Sequence, residues 1–211
     1  MSKGVRKFPR TDVWLTGQRI LDAIGPLISK WAIVGSYRRG LEMCGDVDFL
    51  AIPRDGVSVE ACNAALALVC RDGQLESEGD LSIGMVPLLN GDEISVNVFY
   101  TTPDEWGSAL LYTTGSREFN VLFRGIAKSR GFSVNEHGVS RGGKPVPDSG
   151  FSERAVCRTI GVRWVPPEAR TGSRGSWVVD YKSRDSRGGP GTTRPVRPPP
   201  TSEKPGRRRR F

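Results

Sequence analysis

The chain is 211 residues long and carries 31 Lys and Arg against 23 Asp and Glu, a net charge of +8. Hydrophobic residues make up 37%. No apolar run reaches the ~20 residues that cross a bilayer, and the N-terminus (MSKGVRKFPR) lacks the apolar stretch of a signal peptide, so an intracellular, non-secreted protein is expected. One histidine, His137, and four cysteines (Cys44, Cys62, Cys70 and Cys157) without CxxC spacing exclude a zinc ribbon, an HExxH protease and chemistry that needs two imidazoles. Any metal must be held by oxygen ligands.

Pro9 and Thr11 open a helix whose stripe is Val13, Gly17, Ile20, Leu21 and Ile24, and Gly25-Pro26 ends it. Trp31 to Val34 is a short buried strand that runs into the turn Gly35-Ser36. Val47, Phe49 and Ala51 alternate with Asp46, Asp48 and Leu50 in a second strand, and a helix over about 59–70 crosses back. Leu81, Ile83 and Met85 on one side of Asn90-Gly91, and Ile94, Val96 and Val98 on the other, are alternating segments that form a hairpin, with Ile94, Val96 and Val98 fitting the core face. After Pro103 a helix over 116–130, short strands or turns to Pro147 and a helix over about 152–162 make a second, smaller subdomain. From Thr171 onward eleven basic side chains meet three acidic ones, so residues 1–170 are neutral and the excess charge sits on a Gly/Ser/Pro/Arg segment. That composition cannot bury enough apolar surface to fold, apart from a short strand at Trp177 to Val179.

Asp46 and Asp48 lie on one face of a strand, about 6–7 Å apart along the backbone, and can converge on a divalent ion. Alone this spacing says little. The Gly35-Ser36 turn directly after a strand, the forked donors of Arg38 and Arg39, and Gly45 just before the first Asp turn the set into a cradle for a nucleoside triphosphate.

GSYRRG, five residues and DVD together resemble the nucleotidyltransferase motif of family X DNA polymerases, the polymerase beta group. The segments Leu111 to Val139 and Gly143 to Arg170 are similar to that family's nucleotide- and template-contacting segment and to its C-terminal end. The resemblance implies an α+β fold. A nucleotidyltransferase palm (1–103, a mixed sheet with helices) is followed by a small nucleotide- and template-binding subdomain (104–170) and a disordered basic tail (171–211). It implies that Ser36, Arg39 and the Gly45 N–H contact the triphosphate, with Arg38 structural or at the rim, and that Asp46 and Asp48 bind metal. Tyr112 and Gly115 would line the sugar side, with Thr113 at a nucleotide-binding position where the polymerase beta group carries an aromatic residue, Asn120 would meet the base edge, and Arg124 would reach the template strand. Mg²⁺, for which Mn²⁺ can substitute, is the implied cofactor. Deoxynucleoside triphosphates and a primer-template or gapped DNA are the implied partners of a monomer that engages no membrane. Residues 1–6 leave no room for the lyase and helix-hairpin-helix domains that many members carry, a reduction that suits a virus or phage.

In the family a third Asp completes the catalytic set, and counting back from Tyr112 places it at Asn97. Asparagine offers an oxygen but neither charge nor a proton acceptor. Glu93 shares the strand face but lies about 13 Å along it, and Asp92 points the other way. The expected function is two-metal-ion addition of deoxynucleotides to a primer 3′-hydroxyl, as in gap-filling repair, by an impaired or engineered variant. The alternatives are a non-catalytic nucleotide- or nucleic-acid-binding protein of the same fold, and an RNA or protein nucleotidyltransferase.

The basic segment generates the first prediction. Deleting residues 171–211 lowers the slope of log K against log salt for duplex DNA by about 0.9 for each phosphate that the segment neutralises. Equal slopes in fluorescence titrations of the full and shortened chains would assign the segment another role.

Overall fold

The structure, a computed structural model, describes residues 6–170, so the expected disordered tail and the strand at 177–179 lie outside the described residues. In chain order the elements are β1 (Phe8–Pro9), α1 (Arg10–Ile24), β2 (Ile28–Ile33), α2 (Gly35–Arg38), β3 (Met43–Cys44), β4 (Val47–Pro53), α3 (Val59–Ala67), β5 (Leu75–Glu78), β6 (Leu81–Pro87) and β7 (Glu93–Tyr100). There follow α4 (Trp106–Thr114), α5 (Arg117–Ser129), β8 (Phe132–Asn135), β9 (Gly138–Arg141), β10 (Lys144–Pro145) and α6 (Glu153–Thr159). No helix among the described residues is long and apolar enough to cross a membrane.

Five strands form a mixed sheet in the order β2-β4-β7-β6-β5, in which only β4 and β7 run parallel. A parallel neighbour needs a crossover. α3, the edge strand β5 and β6 supply it. Hydroxyl side chains start three helices: Ser58, Ser116 and Ser152 each accept the backbone N–H three residues on, at 3.2, 3.2 and 3.1 Å.

On one sheet face Val47, Phe49, Ala51, Ile94, Val96 and Val98 bury against Val13, Ile20 and Ile24 of α1 and Cys62 and Leu66 of α3. Among the described residues the other face is covered toward the far end of β4. There Leu50 and Ile52 pack with Val34, Trp106 and Ala109, which leaves Asp48 short of the cover. Leu111, Phe119, Phe123, Ile126 and Val134 join Val156, Ile160 and Val165 in a separate core carried by α5, α6 and the three-stranded sheet β8-β9-β10.

Two features have no counterpart in the sequence pattern. The hairpin forms, but β6 buries Ser82, Gly84 and Val86, whereas Ile83 is 39% exposed. The α3 side has room only for small groups: Ser82 Oγ bonds Asn63 Oδ1 at 2.8 Å, and a Cβ on Gly84 would come within 2.6 Å of Cys70 Sγ. Helix α4 is the second difference, since sequence patterning gives no sign of it. It is buried nearly all round, at Trp106, Gly107, Ser108, Ala109, Leu111 and Thr114, so it has no polar stripe to set the period.

Gly107 seats α4 on the N-terminus of α6, where an added Cβ would lie 2.1 Å from Ser152 Cα and carbonyl carbon. No rotamer relieves a backbone collision, so Gly107→Ala costs about 3 kcal/mol or more. A urea midpoint unchanged from wild type would contradict this packing.

Candidate active site

β2 and β4 pair antiparallel as far as Ile33 and Phe49, and the Val34 N–H then donates to the Asp48 carbonyl at 2.8 Å. The chain turns at Gly35 with φ +58°, where a Cβ would stand 1.9 Å from Asp48 Oδ2. The left-handed conformation and the contact both require glycine. The single helical turn of α2 then presents Ser36, Arg38 and Arg39. Arg10 stacks over the Tyr37 ring at 3.8 Å and steadies this turn against the start of α1.

The parallel register of β4 and β7 puts Asn97 beside Asp48. Its Nδ2 donates to Asp48 Oδ1 at 3.0 Å and to Asp46 Oδ2 at 3.3 Å. Burial, and next the negative charge of Asp46, push the Asp48 carboxyl up to about 6 against the opposing pull of Asn97 and Arg39. Burial also raises Asp46, again opposed by Asn97 and Arg39.

Asp46 and Asp48, with Asn97 bonded to both but not itself in the lining, floor a cleft of about 410 Å³ that gathers Ser36, Arg39, Tyr112, Thr113, Gly115, Asn120 and Arg124. Arg39 Nη1 donates to the Thr114 carbonyl, and a Cβ on Gly115 would come within 3.3 Å of that nitrogen. Asn120 Nδ2 donates to the Tyr112 carbonyl at 2.7 Å, which orients the amide, and Thr113 Oγ1 bonds the Ala109 carbonyl at 2.7 Å. Two buried polar atoms of the cleft residues, Ser36 Oγ and Asn120 Oδ1, have no partner among the described residues. Gly45 is half-buried in the bend before Asp46 and does not line the cleft. Glu93 is held elsewhere by Arg71 at 2.7 Å, as its distance along the strand predicts.

The cleft also includes Phe99 and Arg117, which no sequence motif singles out. Phe99 follows Asn97 by two positions and so shares its face; Arg117 opens α5 directly after Gly115-Ser116. Arg38, expected to be structural or at the rim, is structural, though its partner carries no sequence signal. It turns away from the cleft and forks onto Glu153 at 2.7 and 3.1 Å, with a third bond to Thr114 Oγ1 at 2.7 Å. Glu153, 6% exposed, also accepts from Arg170 at 2.8 Å and from Trp164 Nε1 at 2.9 Å, and Arg170 is 3% exposed.

An all-oxygen donor pair suits a hard divalent cation, and the free Ser36 hydroxyl beside Arg39 suits an anionic oxygen. The residues present therefore fit a metal that travels with a polyphosphate. Among the described residues no group of three or more His, Cys, Asp or Glu assembles around a common point.

Comparison with known proteins finds relatives among DNA polymerases. Residues 7–82 match the family model described as DNA polymerase beta palm, and residues 109–171 the one described as DNA polymerase beta thumb. DNA polymerase lambda of Rattus norvegicus is 31% identical over 118 residues, 50% of this chain and 21% of that protein. DNA polymerase/3'-5' exonuclease PolX of Bacillus subtilis is 28% identical over 143 residues, 68% of this chain and 24% of that protein. DNA polymerase IV of Saccharomyces cerevisiae is 31% identical over 67 residues, 32% of this chain and 11% of that protein. The chain thus spans a quarter or less of each of these relatives. The mixed sheet with its helices is the palm fold that the sequence resemblance implies.

The Glu153 cluster is open to direct test. Burial pushes its carboxyl up, but the hydrogen bonds and charges of Arg38 and Arg170 outweigh this and hold it below the ordinary 4.5. Its stabilisation is complete above about pH 4.5 and is lost as pH falls from there through the depressed folded value. Glu153→Gln strands two guanidinium groups, costs about 3–5 kcal/mol at neutral pH and flattens the acid limb of the stability curve. Urea unfolding across that limb checks both effects, and a variant as acid-sensitive as wild type would refute the assignment.

Proposed function

The chain belongs to DNA polymerase family X, and on that premise we propose that its cleft binds a deoxynucleoside triphosphate and transfers the nucleotide to a primer 3′-hydroxyl. The observation that carries this reading is the meeting of three segments far apart in sequence. Residues 35–39 bring a free hydroxyl and a guanidinium, residues 46–48 two carboxylates, and residues 112–124 a wall of polar groups.

In this reading Ser36 and Arg39 hold the triphosphate, and Arg39 keeps N–H groups to spare because its bond to the Thr114 carbonyl uses only Nη1. Tyr112, Thr113 and Gly115 bound the sugar, Asn120 offers its unpaired Oδ1 to the base edge, and Arg124 on the exposed side of α5 meets the template strand. Asp46 and Asp48 would hold Mg²⁺, or Mn²⁺ in its place, which supplies charge neutralisation to the polyphosphate and acidifies the attacking hydroxyl. Residues 1–103 act as the palm, and residues 104–170 bind nucleotide and template. Gap-filling on primer-template DNA is the role we assign, with the basic segment beyond residue 170 adding sequence-independent grip.

Asn97 favours a second reading, a protein that binds nucleotide and DNA but transfers slowly or not at all. A side chain that acts mainly on the attacking hydroxyl is felt in the transition state more than in nucleotide binding. Asn97→Asp therefore raises primer extension on the order of 10²-fold or more and leaves nucleotide affinity nearly unchanged. Asp46→Ala and Asp48→Ala each abolish Mg²⁺-dependent nucleotide binding in calorimetry. Extension at background in a folded Asn97→Asp that binds nucleotide would leave the binding protein as the answer. Unaltered Mg²⁺-nucleotide affinity in either alanine variant would remove the cradle altogether.

A further inference from the structure

A second cation placed on the primer side of this carboxylate pair, away from most of the polyphosphate charge, would draw on a third protein carboxylate for its hold, and position 97 supplies none. The amide turns its N–H side toward both carboxylates at 3.0 and 3.3 Å. To meet a cation it would have to rotate, give up both hydrogen bonds and offer a neutral oxygen. No neighbour takes its place. Ile83, across from Asn97 on β6, is apolar, and Phe99, next on the same face, is aromatic. Glu93 is bound to Arg71, Asp92 to Arg6, and no third acidic, imidazole or thiol side chain joins the pair among the described residues.

We infer that the cleft holds one divalent cation per bound nucleotide, and that Asn97 takes over part of a second ion's role by hydrogen-bonding the two carboxylates together. The inference rests on the nucleotide-binding reading of the cleft and concerns how many ions that site retains. Asn97 is here a positioning residue. It relieves the repulsion between Asp46 and Asp48 while the nucleotide is absent, so a binding-ready pair survives without the charge that would hold a second ion.

The test counts ions instead of turnover. The full chain, in excess over a deoxynucleoside triphosphate with a non-hydrolysable α,β-imido link and in the presence of primer-template, is titrated with Mn²⁺ while free ion is read by electron paramagnetic resonance. Wild type retains one Mn²⁺ per nucleotide and Asn97→Asp two, with the second bound at least about tenfold more tightly than any second ion in wild type. Asn97→Ala, which removes both donor bonds and adds no charge, stays at one; circular dichroism confirms that each variant is folded. Two tightly held ions in wild type, or one in Asn97→Asp, would overturn the inference. Nucleotide and Mn²⁺ both failing to bind wild type would instead defeat the cradle itself and the inference with it, an outcome told apart by the absence of any nucleotide affinity.

Discussion

The arrangement turns on a missing side chain. At Gly35 the backbone runs against the Asp48 carboxylate, in a space that any Cβ would occupy, and with a φ that other residues avoid. Because that close approach is possible, β2 can end beside the carboxylate and start α2 there. Two adjacent arginines then leave α2 in different directions. Arg39 reaches the cleft and the end of α4, whereas Arg38 reaches Glu153 at the start of α6. One glycine thereby links the sheet that bears the acidic pair to the core built from α5 and α6.

Among the described residues two carboxylate settings, one half-buried and one buried, have opposite electrostatics. At Asp46 and Asp48 two like charges share one amide donor and one nearby guanidinium, and burial keeps both carboxyls above their ordinary range. Such a pair gains most from an arriving cation. Glu153 already has its cations: two guanidinium groups and an indole N–H consume its lone pairs, and its carboxyl is lowered despite burial. The first setting is built to receive charge and the second is complete. The difference sets the two apart even though both hold acidic side chains out of full contact with water and with arginines close by.

Much of this is legible in the sequence. Gly35-Ser36, Arg39 and Asp46-Asp48 stand out because phosphate and metal chemistry demands scarce residue types at short spacing, and Asn97 because the alternation of Ile94, Val96 and Val98 turns it to the opposite face. What stays hidden has no local pattern. Helix α4 is enclosed on almost every side, so its composition carries no stripe. The inward side of β6 is set by the bulk of Cys70 and the amide of Asn63, and so the apolar Ile83 points outward. Arg38 pairs with Glu153 across 115 residues, and nothing near either residue marks the other. Gly45 shows the limit of spacing arguments, since closeness to Asp46 in sequence does not bring it into the cleft wall.

The outer strands of the five-stranded sheet bear on how copies of the chain meet one another. Unpaired edge backbone invites another strand to add, and proteins that avoid this keep edges short, charged or irregular. β5 has four residues and sets Glu76 and Glu78 along its rim. β2 is interrupted by a register shift between Ile28 and Lys30, and Lys30 folds over the Trp106 ring at 4.3 Å. Neither rim offers a long, flat, uncharged template, and strand-to-strand stacking of copies is discouraged at both sides of the sheet.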